Sequence, residues 1–174
     1  IGLYASRSML LDNTVSSNAA SEWSGGGGCI LGAGGDADLQ RNLIIYNAAA
    51  RSSGGLLIGQ GSDAALTNNV LADNQAASGG GLGLLDGDFT LLYNTVARNT
   101  ADDGSGVLID GSSAVSLTNA ILVDHAVGIS VTGGSTLTVD GVLCHNTPLT
   151  VSRSPTALGD SGVTVGFSKL PVTL

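Results

Sequence analysis

Residues 66–74 read LTNNVLADN, and residues 91–99 read LLYNTVARN. Both begin with leucine, place an asparagine three residues later and an aliphatic residue two after that, and end on a second asparagine. Short segments of this kind, bounded by asparagine and aspartate, are typical of β-strands. Because the same phrase occurs elsewhere in the chain, the sequence indicates a repeat architecture.

Six copies of this phrase align on two polar columns at intervals of 29, 27, 25, 25 and 21 residues. The predicted first column contains Asn13, Asn42, Asn69, Asn94, Asn119 and Asp140. The predicted second column contains Asn18, Asn47, Asn74, Asn99, Asp124 and His145. The aliphatic position between them holds Val15, Ile44, Leu71, Val96, Ile121 and Val142. The leading position holds Leu10, Leu39, Leu66, Leu91, Ser116 and Leu137.

Glycine clusters and short aliphatic strands follow the early copies, as in Gly54-Gly55 before residues 56–58 and Gly79–Gly81 before residues 82–85. A period of about 25 residues accommodates two or three short strands per turn, whereas helical solenoids need a 3.6-residue period that is absent here. Coils stacked at ~4.8 Å would bring equivalent residues into columns. The sequence therefore predicts an all-β solenoid of about six rungs.

The phrase L-x-x-N-x-[VI]-x-x-N, followed by G-G and an aliphatic residue, resembles the repeat of right-handed parallel β-helix proteins with the pectin-lyase-like fold. The resemblance covers roughly residues 8 to 146. It implies a right-handed parallel β-helix from a secreted or cell-surface protein of bacterial type. It says little about activity, because the fold carries lyases, hydrolases, esterases, adhesins and structural passengers.

The two polar columns are predicted to be structural. A stacked amide can donate to the amide on one neighbouring rung and accept from the other, which satisfies both groups. On this reading His145 replaces asparagine in the second column. Cys29 and Cys144 fall five rungs apart, roughly 24 Å at ~4.8 Å per rung. A disulfide spans at most about 7 Å between Cα atoms, so no intramolecular disulfide is expected.

The charge balance excludes some partners. The chain has 14 acidic and 6 basic residues, for a net charge of −8, and its one lysine is Lys169. Nucleic-acid binding needs clustered lysine and arginine, so no nucleic-acid partner is expected. The apolar runs are far shorter than the ~20 residues that cross a bilayer, so no membrane span is expected either.

One column of acids is a candidate cation site. Asp36, Asp63 and Asp88 each lie six residues before the first asparagine of the next copy. Hard cations such as Ca²⁺ favour clustered carboxylate oxygens. The alternative is a row of solvated turns in which aspartate caps a bend. The calcium-binding repeat G-G-x-G-x-D does not occur. We therefore assign no cofactor and retain these three aspartates as candidates for Ca²⁺.

No residue is assigned as catalytic, and the best local cluster for acid–base chemistry contains Asp73, Arg98, Asp102 and Asp103. A polysaccharide lyase needs a base, often arginine or lysine, beside acids that hold Ca²⁺. A glycoside hydrolase needs two carboxyl groups roughly 5–10 Å apart. The alternative is that Asp73 and Arg98 form an ion pair between neighbouring rungs, while the other two aspartates belong to a turn.

The regular repeat favours a non-catalytic, adhesin- or passenger-like module that contacts polysaccharide or another surface protein. A carbohydrate-active enzyme, either a polysaccharide lyase or a glycoside hydrolase, is the alternative. Ice binding would need a regular threonine column, which the spacing of the threonines does not predict.

The two ends of the chain differ from the repeat. Residues 1–147 are predicted to form the rungs, and residues 148–174 a C-terminal cap or an irregular tail, because Pro148, Pro155 and Pro171 appear there. Residues 163–167 and 170–174 are candidate capping strands. The first rung has no recognisable cap, so we expect a fragment of a larger protein whose open rungs could associate end to end.

Overall fold

The computed structural model describes residues 1–4, 7–32, 36–103 and 105–147, together with the backbone of strands 151–153 and 163–166. Its regular structure is all β, and neighbouring strands pair in parallel. The strands are only two to six residues long. Main-chain hydrogen bonds to neighbouring rungs stabilise them, from both sides for the inner strands of each sheet and from one side for the end strands.

Four sheets run along the coil, and successive strands of each sheet belong to successive rungs. Sheet A contains Gly2–Tyr4, Gly28–Leu31, Leu56–Gly59, Leu82–Leu85, Ser105–Asp110, Val127–Val131 and Val151–Arg153. Sheet B contains Ser8–Leu11, Asp36–Gln40, Asp63–Thr67, Asp88–Leu92, Ala114–Thr118, Thr136–Asp140 and Val163–Gly166. Sheet C contains Thr14–Ser16, Leu43–Ile45, Val70–Ala72, Thr95–Ala97, Ile121–Val123 and Leu143–His145. Sheet D contains Ala19–Ala20, Ala48–Ala49, Gln75–Ala76 and Thr100–Ala101.

The rungs are numbered 1 to 6 by the strands of sheet C, and their number confirms the predicted solenoid of about six rungs. The inner faces of the sheets stack aliphatic side chains into one continuous core. Leu39, Leu66, Leu91 and Leu117 form one such column in sheet B, with each pair in register across adjacent strands. Alternating inward and outward side chains are the expected pattern for strands with one buried face.

The corner between sheets B and C is built by a left-handed residue followed by an asparagine. Arg41 and Tyr93, for example, have φ of 54° and 58°. The asparagine that follows bonds to its counterpart one rung on: Asn42 Nδ2 donates to Asn69 Oδ1 at 2.9 Å, and Asn69 Nδ2 donates to Asn94 Oδ1 at 3.0 Å. The predicted amide ladder is confirmed for rungs 1 to 4.

The second polar column lies at the corner between sheets C and D and follows the same scheme. Asn47 Nδ2 donates to Asn74 Oδ1 at 3.0 Å, and Asn74 Nδ2 donates to Asn99 Oδ1 at 3.0 Å. Asn74 Nδ2 also donates to the Ile44 carbonyl at 2.9 Å, which satisfies a main-chain acceptor at the bend. Buried amides of this kind need such partners, and here each rung supplies them to the next.

The predicted alignment is wrong by one residue in rung 5 and by two residues in rung 6, where Val142 and not Asp140 occupies the first column. Thr95 pairs with Ile121 and Ile121 with Leu143, so the residue opposite Asn94 is Ala120, not Asn119. The second column continues from Asn99 through His125 to Thr147. The residues wrongly assigned to the columns are Asn119, Asp140, Asp124 and His145. Leu122, not Ile121, consequently points inward: Leu122 is 0% exposed and Ile121 is 39% exposed.

Two strands beyond residue 147 continue the coil. Val151–Arg153 pairs in parallel with Val127–Val131, and Val163–Gly166 pairs in parallel with Thr136–Asp140. These strands extend sheets A and B past the predicted boundary, while residues 167–174, and the capping strand predicted at 170–174, lie outside the described residues. Cys29 and Cys144 are both free thiols, as the predicted separation requires.

Candidate functional site

The outer face of sheet B carries an open groove of about 630 Å³. Asp36 and Asp63 are in register, and Asp88 follows on the next rung, so the predicted column of three carboxylates exists. Arg7 lies one rung before Asp36 at the end of the same column. The groove therefore presents three aspartates and one arginine in a line on a flat, solvent-accessible sheet.

Two carboxylates of this groove, Asp63 and Asp38, accept hydrogen bonds within the protein. The Asp88 amide donates to Asp63 Oδ1 at 2.8 Å, which ties one rung to the next. Gln40 Nε2 donates to both oxygens of Asp38, at 3.0 and 2.9 Å. In the described part of the chain, no three His, Cys, Asp or Glu side chains are grouped as a metal site requires. Ca²⁺ at Asp36, Asp63 and Asp88 stays a prediction.

The same face becomes hydroxyl-rich towards the C-terminal rungs. Thr90, Ser116 and Thr138 are in register on three consecutive strands, and Thr136 lies beside Thr138 on the last of them. These side chains line a continuation of the groove. The face thus changes from carboxylates to hydroxyls along the coil axis, and both are groups that hydrogen-bond to polyhydroxylated ligands.

The structure brings Asp73 and Arg98 together. Arg98 Nε and Nη2 donate to the two carboxylate oxygens of Asp73 at 2.8 and 2.7 Å, a bidentate pair between rungs 3 and 4. This hydrogen bond raises the pKa of the Arg98 guanidinium, so the side chain stays charged and is a poor base. The geometry favours the reading of these residues as an inter-rung pair.

Asp102 and Asp103 are located in a turn at the end of sheet D. The Asp102 amide donates to the Ala77 carbonyl at 3.0 Å. Asp103 Oδ1 accepts hydrogen bonds from the Ser105 amide at 3.0 Å and the Ser105 hydroxyl at 2.7 Å. Asp103 thus caps the start of the next strand, the role that short acidic side chains commonly have in turns.

A second bidentate pair, between Asp12 and Arg41, was not predicted from the sequence. Arg41 Nε and Nη2 donate to the Asp12 carboxylate at 2.7 and 2.9 Å across rungs 1 and 2. The Arg41 hydrogen bond lowers the pKa of Asp12. The signal was present, because both residues directly precede asparagines of the first column.

His125 is the polar residue that sequence reasoning missed. It is 4% exposed, and its Nε2 accepts from the Asn99 amide at 3.3 Å, as an asparagine oxygen does elsewhere in the column. Because Nε2 accepts, the ring proton lies on Nδ1, which is buried with no partner among the described residues. Burial lowers the pKa of His125, and the nearby Asp124 carboxylate partly opposes the shift. His125 is thus a structural member of the column.

These observations define a parallel β-solenoid stabilised by two polar columns, with polar groups distributed along one open face. The family model for the right handed beta helix region matches residues 1–144, and the chain belongs to this family. Searches among curated proteins and among solved structures find no match. No helix in the described residues has the length and apolarity to cross a membrane.

Proposed function

We propose that this chain is a non-catalytic β-helix module of a secreted or cell-surface protein of bacterial type, with an adhesin- or passenger-like role. The observation that carries the proposal is the bonding of the best acid–base candidates. Arg98 and Asp73 are bonded to each other across two rungs, and Asp103 is bonded to Ser105. Three of the four acid–base candidates are thus engaged within the stack, which disfavours their use as proton donors or acceptors towards a ligand.

The surface available for display supports the same proposal. The outer face of sheet B is open along its length, with carboxylates in rungs 2 to 4 and hydroxyls in the later rungs. Polysaccharide is the partner that this face suits best, because repeated sugar hydroxyls match a repeated row of acceptors and donors. Another surface protein is the alternative partner.

One observation favours the alternative, a carbohydrate-active enzyme. The Asp36, Asp63 and Asp88 column opens directly onto the groove, with Arg7 at its end. A lyase that uses Ca²⁺ needs such carboxylates to hold the ion beside the uronate group of the substrate. On that hypothesis the acids of sheet B, and not Asp73 and Arg98, carry the activity.

A turnover assay separates the two proposals. The folded chain is incubated with a panel of polyuronates and neutral polysaccharides, with and without Ca²⁺, while new reducing ends and the ultraviolet absorbance of unsaturated products are followed. The module proposal expects neither signal. Calcium-dependent turnover that is lost in Asp63→Asn and retained in Arg98→Ala would establish a lyase on sheet B. Reducing ends without unsaturated products would establish a hydrolase.

Binding is measured on the same panel, by co-sedimentation with insoluble polysaccharide. The matched variants are Thr90→Ala in the groove and Thr14→Ala on the outer face of sheet C. Weaker retention for Thr90→Ala alone supports polysaccharide binding by sheet B. Retention of neither wild type nor variant on any polysaccharide points to a protein partner instead. A rise in melting temperature with Ca²⁺ that disappears in Asp63→Asn tests the cation site separately.

A further inference from the structure

The outer face of sheet C is apolar, in contrast to that of sheet B. Most of its outward side chains are aliphatic, and its polar members are Thr14, Ser16, Thr95 and His145. The outward aliphatic side chains with exposed surface are Leu43, Ile45, Val70, Ile121, Val123 and Leu143, whereas Ala72 and Ala97 occupy outward positions but are buried, at 4% and 5% exposed. Leu143 is 62% exposed and Leu43 is 37% exposed. The sequence alignment concealed this face, because it placed Ile121 in the core.

The size of the face suits a weak interface. Six rungs at ~4.8 Å and about five residues per rung at ~3.3 Å give a surface of roughly 24 by 16 Å. Two such faces in contact would bury about 800 Å², below the ~1,200 Å² of stable complexes. An apolar patch of a few hundred Å² is as large as those that monomeric proteins commonly expose, and such patches are often functional.

Bulk in rungs 2 to 5 is symmetric about the boundary between rungs 3 and 4, whereas rung 1 carries Thr14 with Ser16 and rung 6 carries Leu143 with His145. Rungs 2 and 5 carry the large pairs, Leu43 with Ile45 and Ile121 with Val123. Rungs 3 and 4, between them, carry smaller side chains, which include Ala72 and Ala97. A surface whose pattern reads the same in both directions can match a copy of itself related by a twofold axis.

The charges along one edge of the face also match those of a copy related by a twofold axis. This edge carries, on rungs 2 to 5 in order, Tyr46, Asp73, Arg98 and Asp124. The main-chain amide of each donates to a carbonyl of the sheet C strand in the next rung. If a second copy packs against this face with its rung order reversed, Asp73 lies opposite Arg98 of that copy, and Arg98 opposite its Asp73. Tyr46 then lies opposite Asp124, which can accept from the phenol. The reversed order places no like charges opposite each other along this row.

The opposite edge of the face is compatible with the same arrangement. The left-handed residues there are Asp12, Arg41, Asn68, Tyr93 and Asn119, followed by Gly141 on rung 6. If the second copy has its rung order reversed, Arg41 lies opposite Asn119, Asn68 lies opposite Tyr93, and Asp12 lies opposite Gly141. Each of these combinations avoids juxtaposed like charges, so both edges agree on one orientation.

We propose that sheet C is the interface of a weak homodimer, in which a second copy packs its sheet C face to face with the rung order reversed. Leu43 of each copy then packs against Ile121 of the other. Between them, the Asp73 and Arg98 side chains of both copies form a square of alternating charge. This dimer is independent of any ligand on sheet B, which faces in another direction.

Sedimentation velocity from about 10 µM to about 1 mM tests the proposal, because interfaces near 800 Å² associate weakly. The average mass is expected to rise towards twice that of the chain. Leu43→Glu and Ile121→Lys are each expected to weaken association at least about tenfold, since each places a charge in the apolar contact. Thr138→Glu, on the outer face of sheet B, is the matched control and is expected to dimerise normally. Circular dichroism verifies that each variant remains folded.

Mixing the two charged variants tests the orientation. In the reversed order, Glu at position 43 of one copy meets Lys at position 121 of the other, so the mixture is expected to regain dimers that neither variant forms alone. A chain that stays monomeric throughout overturns the proposal. So does a mixture that stays monomeric, and so does association that Leu43→Glu and Ile121→Lys leave intact. Species larger than a dimer would indicate end-to-end association through the open rungs instead.

Discussion

Replacement of Asn69 by alanine should strongly destabilise the first column. The Asn69 side chain makes four bonds: its Oδ1 accepts from the Asn42 amide and from Asn42 Nδ2, both at 2.9 Å, and its Nδ2 donates to the Leu39 carbonyl at 2.8 Å and to Asn94 Oδ1 at 3.0 Å. Asn42 and Asn69 are almost fully buried. Water therefore cannot replace the lost partners without opening the corner.

The magnitude follows from the groups left without partners. Asn69→Ala removes the hydrogen-bond partner of three groups: the Asn42 amide, one hydrogen of Asn42 Nδ2 and the Leu39 carbonyl. At roughly 1–3 kcal/mol for each unsatisfied buried group, the loss in unfolding free energy is about 3–9 kcal/mol. Domains of this size are stable by only about 5–15 kcal/mol. The variant should therefore unfold at a much lower urea concentration than the wild type.

The matched control is Asn13→Ala, at the exposed end of the same column. Asn13 Nδ2 donates to Asn42 Oδ1 and to the Leu11 carbonyl, but its side chain is open to water. Its removal is expected to cost less than about 1 kcal/mol, because water replaces the lost partner. Urea unfolding followed by circular dichroism measures both. Equal losses for Asn13→Ala and Asn69→Ala would refute the assignment of stability to buried ladder amides.

The corrected register predicts that Leu122→Ala lowers the free energy of unfolding by about 2–5 kcal/mol, whereas Ile121→Ala lowers it by less than about 1 kcal/mol. A larger loss for Ile121→Ala than for Leu122→Ala in urea unfolding would contradict this register. His125 has a lowered pKa because it is buried, so the unfolded chain binds its proton more readily. The urea midpoint should therefore fall as the pH drops below ~6.5, and it should fall less in His125→Asn; identical pH profiles would contradict this role. Ser53 has φ of 62° and a buried hydroxyl that has no hydrogen-bond partner among the described residues, and this hydroxyl lies where a Cβ on Gly83 would be. Ser53→Gly should thus raise stability by about 1–2 kcal/mol, and Gly83→Ala should destabilise the wild type more than it destabilises Ser53→Gly, as melting temperatures would reveal.

The first four rungs could be predicted from the sequence because asparagine recurs there at a fixed position relative to the core leucine. The prediction was wrong at Asn119 for a physical reason. Asparagine is favoured in the ladder, where its amide bonds both ways, and also in the preceding left-handed position, as Asn68 beside Asn69 demonstrates. With alanine at 120, the sequence offered only the left-handed asparagine, and the alignment took it for the ladder residue.

The candidate site was predictable in part. The Asp36, Asp63 and Asp88 column and the Asp73–Arg98 pair follow directly from spacing, since residues at equal offsets stack. His125 was not predictable, because an imidazole replaces an amide acceptor only when one tautomer is held by its surroundings. The apolar outer face of sheet C was hidden for a related reason: a shift of one residue exchanges the inward and outward sides of a strand.

The end of the first ladder at Ala120 has a mechanical consequence. Along that column, the joints between rungs 1 and 4 are each bridged by an amide pair, whereas Asn94 and Ala120 are joined by main chain alone, through the Ile121 amide and the Asn94 carbonyl. The joint between rungs 5 and 6 at this corner is likewise made by main chain, through the Leu143 amide and the Ala120 carbonyl. Tension applied along the coil axis is therefore carried unevenly, and extension at this corner should begin beyond rung 4. The coil would yield there first, with the four amide-linked rungs still wound together.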